Sequence, residues 1–149
     1  MNWIKITHQD LEIVLNKSQL EILKAAEFAS PGRDIAESVI SMAVSRIRAE
    51  ISAGQANFLD PDHSRIPPEL KECALSLALE ALQARLPDMP MPSSISKRAD
   101  LARETLARVA EGELPVSQPL YGIKTARKKG VSLLKSRRQN FSSKTMEGL

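Results

Sequence analysis

The side chains able to do chemistry near neutral pH are few and scattered. His8, His63 and Cys73 are the chain's only histidines and its only cysteine. A metal pair would require Asp60, Asp62 and His63 to converge. They lie in "QANFLDPDHSR", which reads as a solvated loop by its Asn, Asp, Pro and Ser content. Cys73 falls on an apolar helix face with no histidine close in sequence, so it reads as a small core residue rather than a nucleophile. Glu72 and Glu80 stand two turns apart on a polar stripe and read as a solvated face, not as an acid–base pair. The chain has no phosphate loop, dinucleotide fingerprint, nucleophile elbow or paired-cysteine motif. The expectation is therefore a protein that is not an enzyme, with no catalytic residues, no metal and no cofactor.

The informative polar feature is charge. Residues 1–115 hold 13 Lys/Arg against 17 Asp/Glu, a balance of −4. Residues 116–149 hold eight Lys/Arg against Glu147 alone, a balance of +7, so the net charge of +3 hides an acidic body and a basic extension. The extension interleaves charge with apolar residues, and its candidate partner-binding residues are Tyr121, Ile123, Lys124, Arg127, Lys128, Lys129, Leu133, Leu134, Lys135, Arg137 and Arg138. Three uses stay open on these residues. They can grip phosphates, each cation adding a salt-sensitive increment. They can dock an acidic protein surface through apolar anchors. Or they can be solvated, which the run "VSLL" opposes, since a solvated tail has no use for it.

The body must be helical. Of the chain's 149 residues only Trp3, Phe28, Phe58, Tyr121 and Phe141 are aromatic, and a core of alanine and aliphatic residues suits packed helices better than sheets. A first segment over about 8–26 carries a Thr7/Asp10 capping box and is open to a break near Asn16–Lys17. Its apolar patches are Leu11, Val14 and Leu15, then Leu20, Leu23 and Ala25–Ala26. A helix over about 34–53 starts at Asp34 and repeats Ile35, Val39, Ala43, Ile47 and Ile51 on one stripe, with Gly54 placed to cap its end. A third begins at Pro67–Pro68 and is apolar almost all round, with Glu72, Ser76, Glu80 and Gln83 as its narrow polar stripe. Such a helix must be covered on several sides. A fourth, over about 95–111, turns Ile95, Ala99, Ala102, Leu106, Val109 and Ala110 inward and closes at Gly112. The expected fold class is all-α: a small bundle of about four helices over residues 1–115, with an extended basic C-terminal extension over 116–149. No run is apolar and long enough to span a membrane, and "MNWIKITHQD" carries no apolar stretch of the secretory-signal kind. The lone cysteine fits a reducing compartment.

The order of these elements resembles the small head-tail connector (adaptor) proteins of tailed bacteriophages and prophages, notably the Mu-like kind. The likeness runs over about residues 5–116. It rests on "DIAESVISMAVSRIRAEI", on the entry Pro67–Pro68–Glu69–Leu70 to "KECALSLALEALQARLP", and on the ending Ala110, Gly112, Glu113, Leu114–Pro115 of the fourth helix. The resemblance implies an all-α protomer and a structural virion role in the neck. It implies a homo-oligomeric ring, commonly of twelve copies, beneath the portal protein. Such a ring extends the channel for genomic DNA and presents a surface to the next tail or neck protein, with assembly in the host bacterial cytoplasm. The alternative from another class is a small helical DNA-binding packaging or regulatory protein that uses the basic extension. The body shows no basic recognition helix to favour that alternative.

Overall fold

The computed structural model describes residues 2–32, 34–54 and 57–123. The fold is all-α, with five helices and one two-stranded ribbon among the described residues. In chain order these are β1 (Ile4–Lys5), α1 (His8–Val14), α2 (Lys17–Ala29), α3 (Ile35–Ala53), β2 (Arg65–Ile66), α4 (Lys71–Arg85) and α5 (Ser94–Ala110), with a 3₁₀ turn over Pro68–Leu70 leading into α4. The strands pair antiparallel, Ile4 opposite Ile66 and Lys5 opposite Arg65.

Local chemistry sets most boundaries. Thr7 and Asp10 form the capping box of α1. The chain breaks where expected, because Asn16 caps a new helix by accepting from the Gln19 amide at 2.8 Å. Asp34 caps α3 through the Glu37 amide at 2.9 Å. Gly112, at φ +82°, turns the chain out of α5 in the left-handed region that glycine alone enters freely. Pro67 and Pro68 do not sit in the first turn of α4 itself; they open the 3₁₀ turn before it, where their missing N–H groups leave no bond unmade.

Helices α3, α4 and α5 pack pairwise into a triangle, and α1 closes on α3 and α4. Val39, Ile47, Ile51, Leu82, Leu106 and Val109 are almost fully buried at its centre. Ala74 and Ala78 on α4, and Ala99 and Ala102 on α5, are also buried, and small residues there permit close helix axes. Three expectations fail in detail. Ala25 is exposed rather than part of the Leu20–Leu23 patch, which faces the body through Leu23. Ser76 is not part of a solvated stripe: it is 5% exposed, and its hydroxyl is satisfied by donating to the Glu72 carbonyl one turn back at 2.9 Å. Val14 is 39% exposed rather than part of the Leu11–Leu15 patch, because α1 ends there and only its Leu11 side faces the body.

Candidate functional site

The structure draws attention to the root of the C-terminal extension, residues 116–123, which lies against the body. Val116 and Pro119 are buried. The Ser117 amide and hydroxyl both donate to the Glu69 carboxylate, at 2.5–2.6 Å, and the Ser117 carbonyl accepts from the Trp3 indole N–H at 2.8 Å. Gln118 reaches the loop after α3, accepting from the Phe58 amide at 2.9 Å and donating to Asn57 Oδ1 at 3.1 Å. Ile123 then pairs with Leu59 in an antiparallel bridge with both hydrogen bonds made, at 2.8 and 3.1 Å. Gly122 is required here, since a Cβ on it would strike Phe58.

Beneath this strap lies a polar brace. Arg48 of α3 is 7% exposed and forms no ion pair with a carboxylate among the described residues. Its guanidinium instead donates to the carbonyls of Asp60, Asp62 and Arg65, at 2.6, 3.0 and 2.7 Å, and lies 5.7 Å from the centre of the Trp3 ring. Burial pulls the Arg48 pKa below its ordinary value, opposed by the charges of Asp60 and Asp62. A cation with three carbonyl acceptors and an aromatic face stays charged and pins the 60–65 loop to α3. Burial raises the pKa of Glu69, but the two donors of Ser117 outweigh it and hold the carboxyl below its usual range. The root is thus fastened at Trp3, at Asn57 and Leu59 in the loop after α3, and at Glu69, from three separate parts of the chain.

The fastened root presents apolar groups outward. Leu120, Tyr121 and Ile123 are 65%, 81% and 59% exposed, beside a partly exposed Phe58. An open cleft of about 440 Å³, lined by Ser45, Arg48, Ala49, Leu59, Pro61 and Ile123 among others, runs along the same edge. Of the eleven residues expected to bind a partner, Tyr121 and Ile123 sit here. Lys124, Arg127, Lys128, Lys129, Leu133, Leu134, Lys135, Arg137 and Arg138 lie outside the described residues. Phe58 and Leu120 were missed by sequence reasoning. Phe58 was hidden in a loop of turn residues, and only the position of Gly122 marks it.

The groups with catalytic or ligating potential are placed apart from this edge or otherwise engaged. Asp60 is buried under the Arg48 brace while His63 is exposed, and these two do not gather with Asp62 into a ligand set. His8 instead meets Asp34 and Glu37, its Nε2 3.3 and 3.1 Å from their carboxylates, all three exposed and Asp34 already serving as the cap of α3. The Cys73 thiol is half-buried, and burial together with the charge of Glu72 pushes its pKa up, so it stays protonated at neutral pH. Glu80 is engaged by Arg103 and Glu72 by Arg98.

Fold and site define a small all-α body with a strapped C-terminal root that displays apolar side chains at the start of a basic segment. Searches of family models, of curated proteins and of solved structures return no significant match to the chain.

Proposed function

We propose that the chain is a structural virion protein, a head-tail connector (adaptor) that assembles as a ring below the portal, extends the DNA channel and joins head to tail. The single observation that carries this reading is the strapped root: a site built to hold Leu120, Tyr121 and Ile123 outward at the point where seven net positive charges follow. Such a device is suited to docking on another protein with an acidic surface and an apolar pocket, in the manner of aromatic anchors framed by charge. The order of helices supports it too, since the capped start at Asp34, the proline entry at Pro67–Pro68 and the ending at Gly112 are features on which the connector resemblance rests.

The test is a chain cut after Ile123, beside the full chain, in an assembly assay with portal-bearing heads. A cut placed there spares the Glu69, Trp3 and Leu59 contacts, whereas one at 116 would strip them from the body. The expected result is that the full chain binds heads and the cut chain does not, while neither retains duplex DNA at physiological salt. Should the full chain instead bind duplex DNA with a steep salt dependence that the cut abolishes, the DNA-binding reading replaces this one.

A further inference from the structure

The starts of α1 and α3 meet over a cluster of donor atoms that the core does not use. His8 is the first residue of α1, Asp34 caps α3, and Glu37 stands in the first turn of α3. His8 Nε2 lies 3.3 Å from Asp34 Oδ2 and 3.1 Å from Glu37 Oε2, and the three atoms all fall within 4.8 Å of one another. All three side chains are exposed. The sequence could not point to this set, because His8 and Glu37 lie 29 positions apart.

Hydrogen bonding alone leaves this cluster poorly matched. Nε2 carries at most one hydrogen, which cannot lie in line with two carboxylate oxygens at once. Asp34 divides its oxygens. Oδ1 accepts from the Glu37 amide at 2.9 Å, so the cap stays made while Oδ2 faces His8. Among the described residues no lysine or arginine pairs with Asp34 or Glu37; Arg85 shares a cleft with Asp34 but makes no ion pair with it. Two negative charges therefore converge on one imidazole. The spacing suits a metal ion. Ligand atoms about 2.1 Å from a tetrahedral ion lie about 3.4 Å apart, and both contacts of Nε2 are close to that. One imidazole with two carboxylates fits a borderline ion such as Zn²⁺ better than Mg²⁺ or Ca²⁺, which take oxygen ligands.

We propose that His8, Asp34 and Glu37 bind one Zn²⁺ ion through Nε2, Oδ2 and Oε2, with water in the fourth position. The ion neutralises the two carboxylates and staples the start of α1 to the start of α3. Its affinity is moderate, because the site is exposed and the positive ends of two helices oppose a cation. The site is separate from the strapped root and its cleft, so the inference does not rest on the connector reading.

The experiment is isothermal titration calorimetry of the full chain with Zn²⁺ alone, after removal of metal by a chelator, beside His8→Asn and Glu37→Gln. Both substitutions fall on exposed side chains, and circular dichroism in chelator checks that each variant keeps its helices. The expected result is one Zn²⁺ per chain with a Kd on the order of 10 μM, weakened about tenfold or more in each variant. Free Zn²⁺ at about ten times Kd should raise the melting temperature of the wild type by about 3–6 °C and that of the variants by about 1 °C or less. Co²⁺ in place of Zn²⁺ should give the visible absorption of a tetrahedral site in the wild type and not in the variants. A wild type that takes up no Zn²⁺ at about 1 mM overturns the inference. So does uptake that both variants retain in full, which would move the ion to Cys73 or His63. Displacement of Zn²⁺ by an equal concentration of Mg²⁺ would show that the carboxylates act without the imidazole, and would overturn it too. None of these results bears on the connector reading, which stands on its own test.

Discussion

At the residue scale, the ion pairs differ in how much they do. Most join exposed side chains, and such pairs contribute little. Asp10 differs because it works twice. One oxygen accepts from the Thr7 amide and hydroxyl at 2.9 Å, closing the cap of α1, and the other meets Lys71 Nζ at 2.6 Å, tying that cap to the start of α4. The hydrogen bond from Lys71 and then that from the Thr7 amide hold its carboxyl below the usual carboxylate range, against a smaller opposing effect of burial. A carboxyl whose folded pKa is depressed contributes stability above its unfolded value of about 4. That contribution is lost as pH falls through the folded value. Asp10→Asn should therefore lower stability by about 1 kcal/mol at neutral pH, a figure reduced for the partial exposure of Lys71. The gap between wild type and variant should narrow as the pH falls below the unfolded value and through the depressed folded one. Urea unfolding at a series of pH values reads this directly. A gap that persists unchanged into acid would assign the loss to the cap geometry rather than to the charge.

At the element scale, the ends of α3 and α5 come close together at Gly54. Gly54 follows α3 with φ −72°, a value any residue adopts, so its backbone does not demand glycine. Space does. An added Cβ would lie 3.0 Å from the Val109 carbonyl oxygen, on the α5 backbone, and 2.6 Å from Asn57 Nδ2. Asn57 is not free to swing away at no cost, because it donates to the Ile51 carbonyl and accepts from Gln118 of the root. Gly54→Ala should cost about 1–2 kcal/mol by overpacking. It should also loosen the root, seen as a red shift of the single tryptophan, Trp3, which is 3% exposed beneath it. A stable variant with unshifted emission would mean the two helix ends yield easily. These same elements show what was legible beforehand. The helices were, because apolar residues at turn spacing and the caps at Thr7, Asp34 and Gly112 are local signals that agree with the final packing. The strands β1 and β2 were not, since two residues carry no period. The root was half legible: Tyr121 and Ile123 stood out by type, but their fastening was invisible because Trp3 and Glu69 lie 114 and 48 positions from Ser117. The burial of Arg48 was hidden for the same reason, as its acceptors are carbonyls of a loop that only the fold brings round.

At the scale of the whole molecule, folding and charge are separated along the chain. Every buried residue among those described precedes Ile123, and the residues after it hold all the excess positive charge. Removing them turns a net +3 chain into one of −4 without touching a described core contact. The chain ending at Ile123 should therefore melt within about 2 °C of the full chain, as expected when the core is unchanged. Its isoelectric point should fall from about 9.2 into the acidic range. Binding to any acidic partner should respond differently: the full chain should lose affinity steadily as salt rises and the Debye length shrinks below about 10 Å, while the cut chain should bind weakly at every salt concentration. Differential scanning calorimetry and a salt series on the captured complex read the two halves separately. A melting temperature that drops with the cut would show that residues after Ile123 belong to the fold. Capture insensitive to salt would move the weight of recognition from the cations to Leu120, Tyr121 and Ile123, and single alanine substitutions at those three positions would then decide which of them anchors the contact.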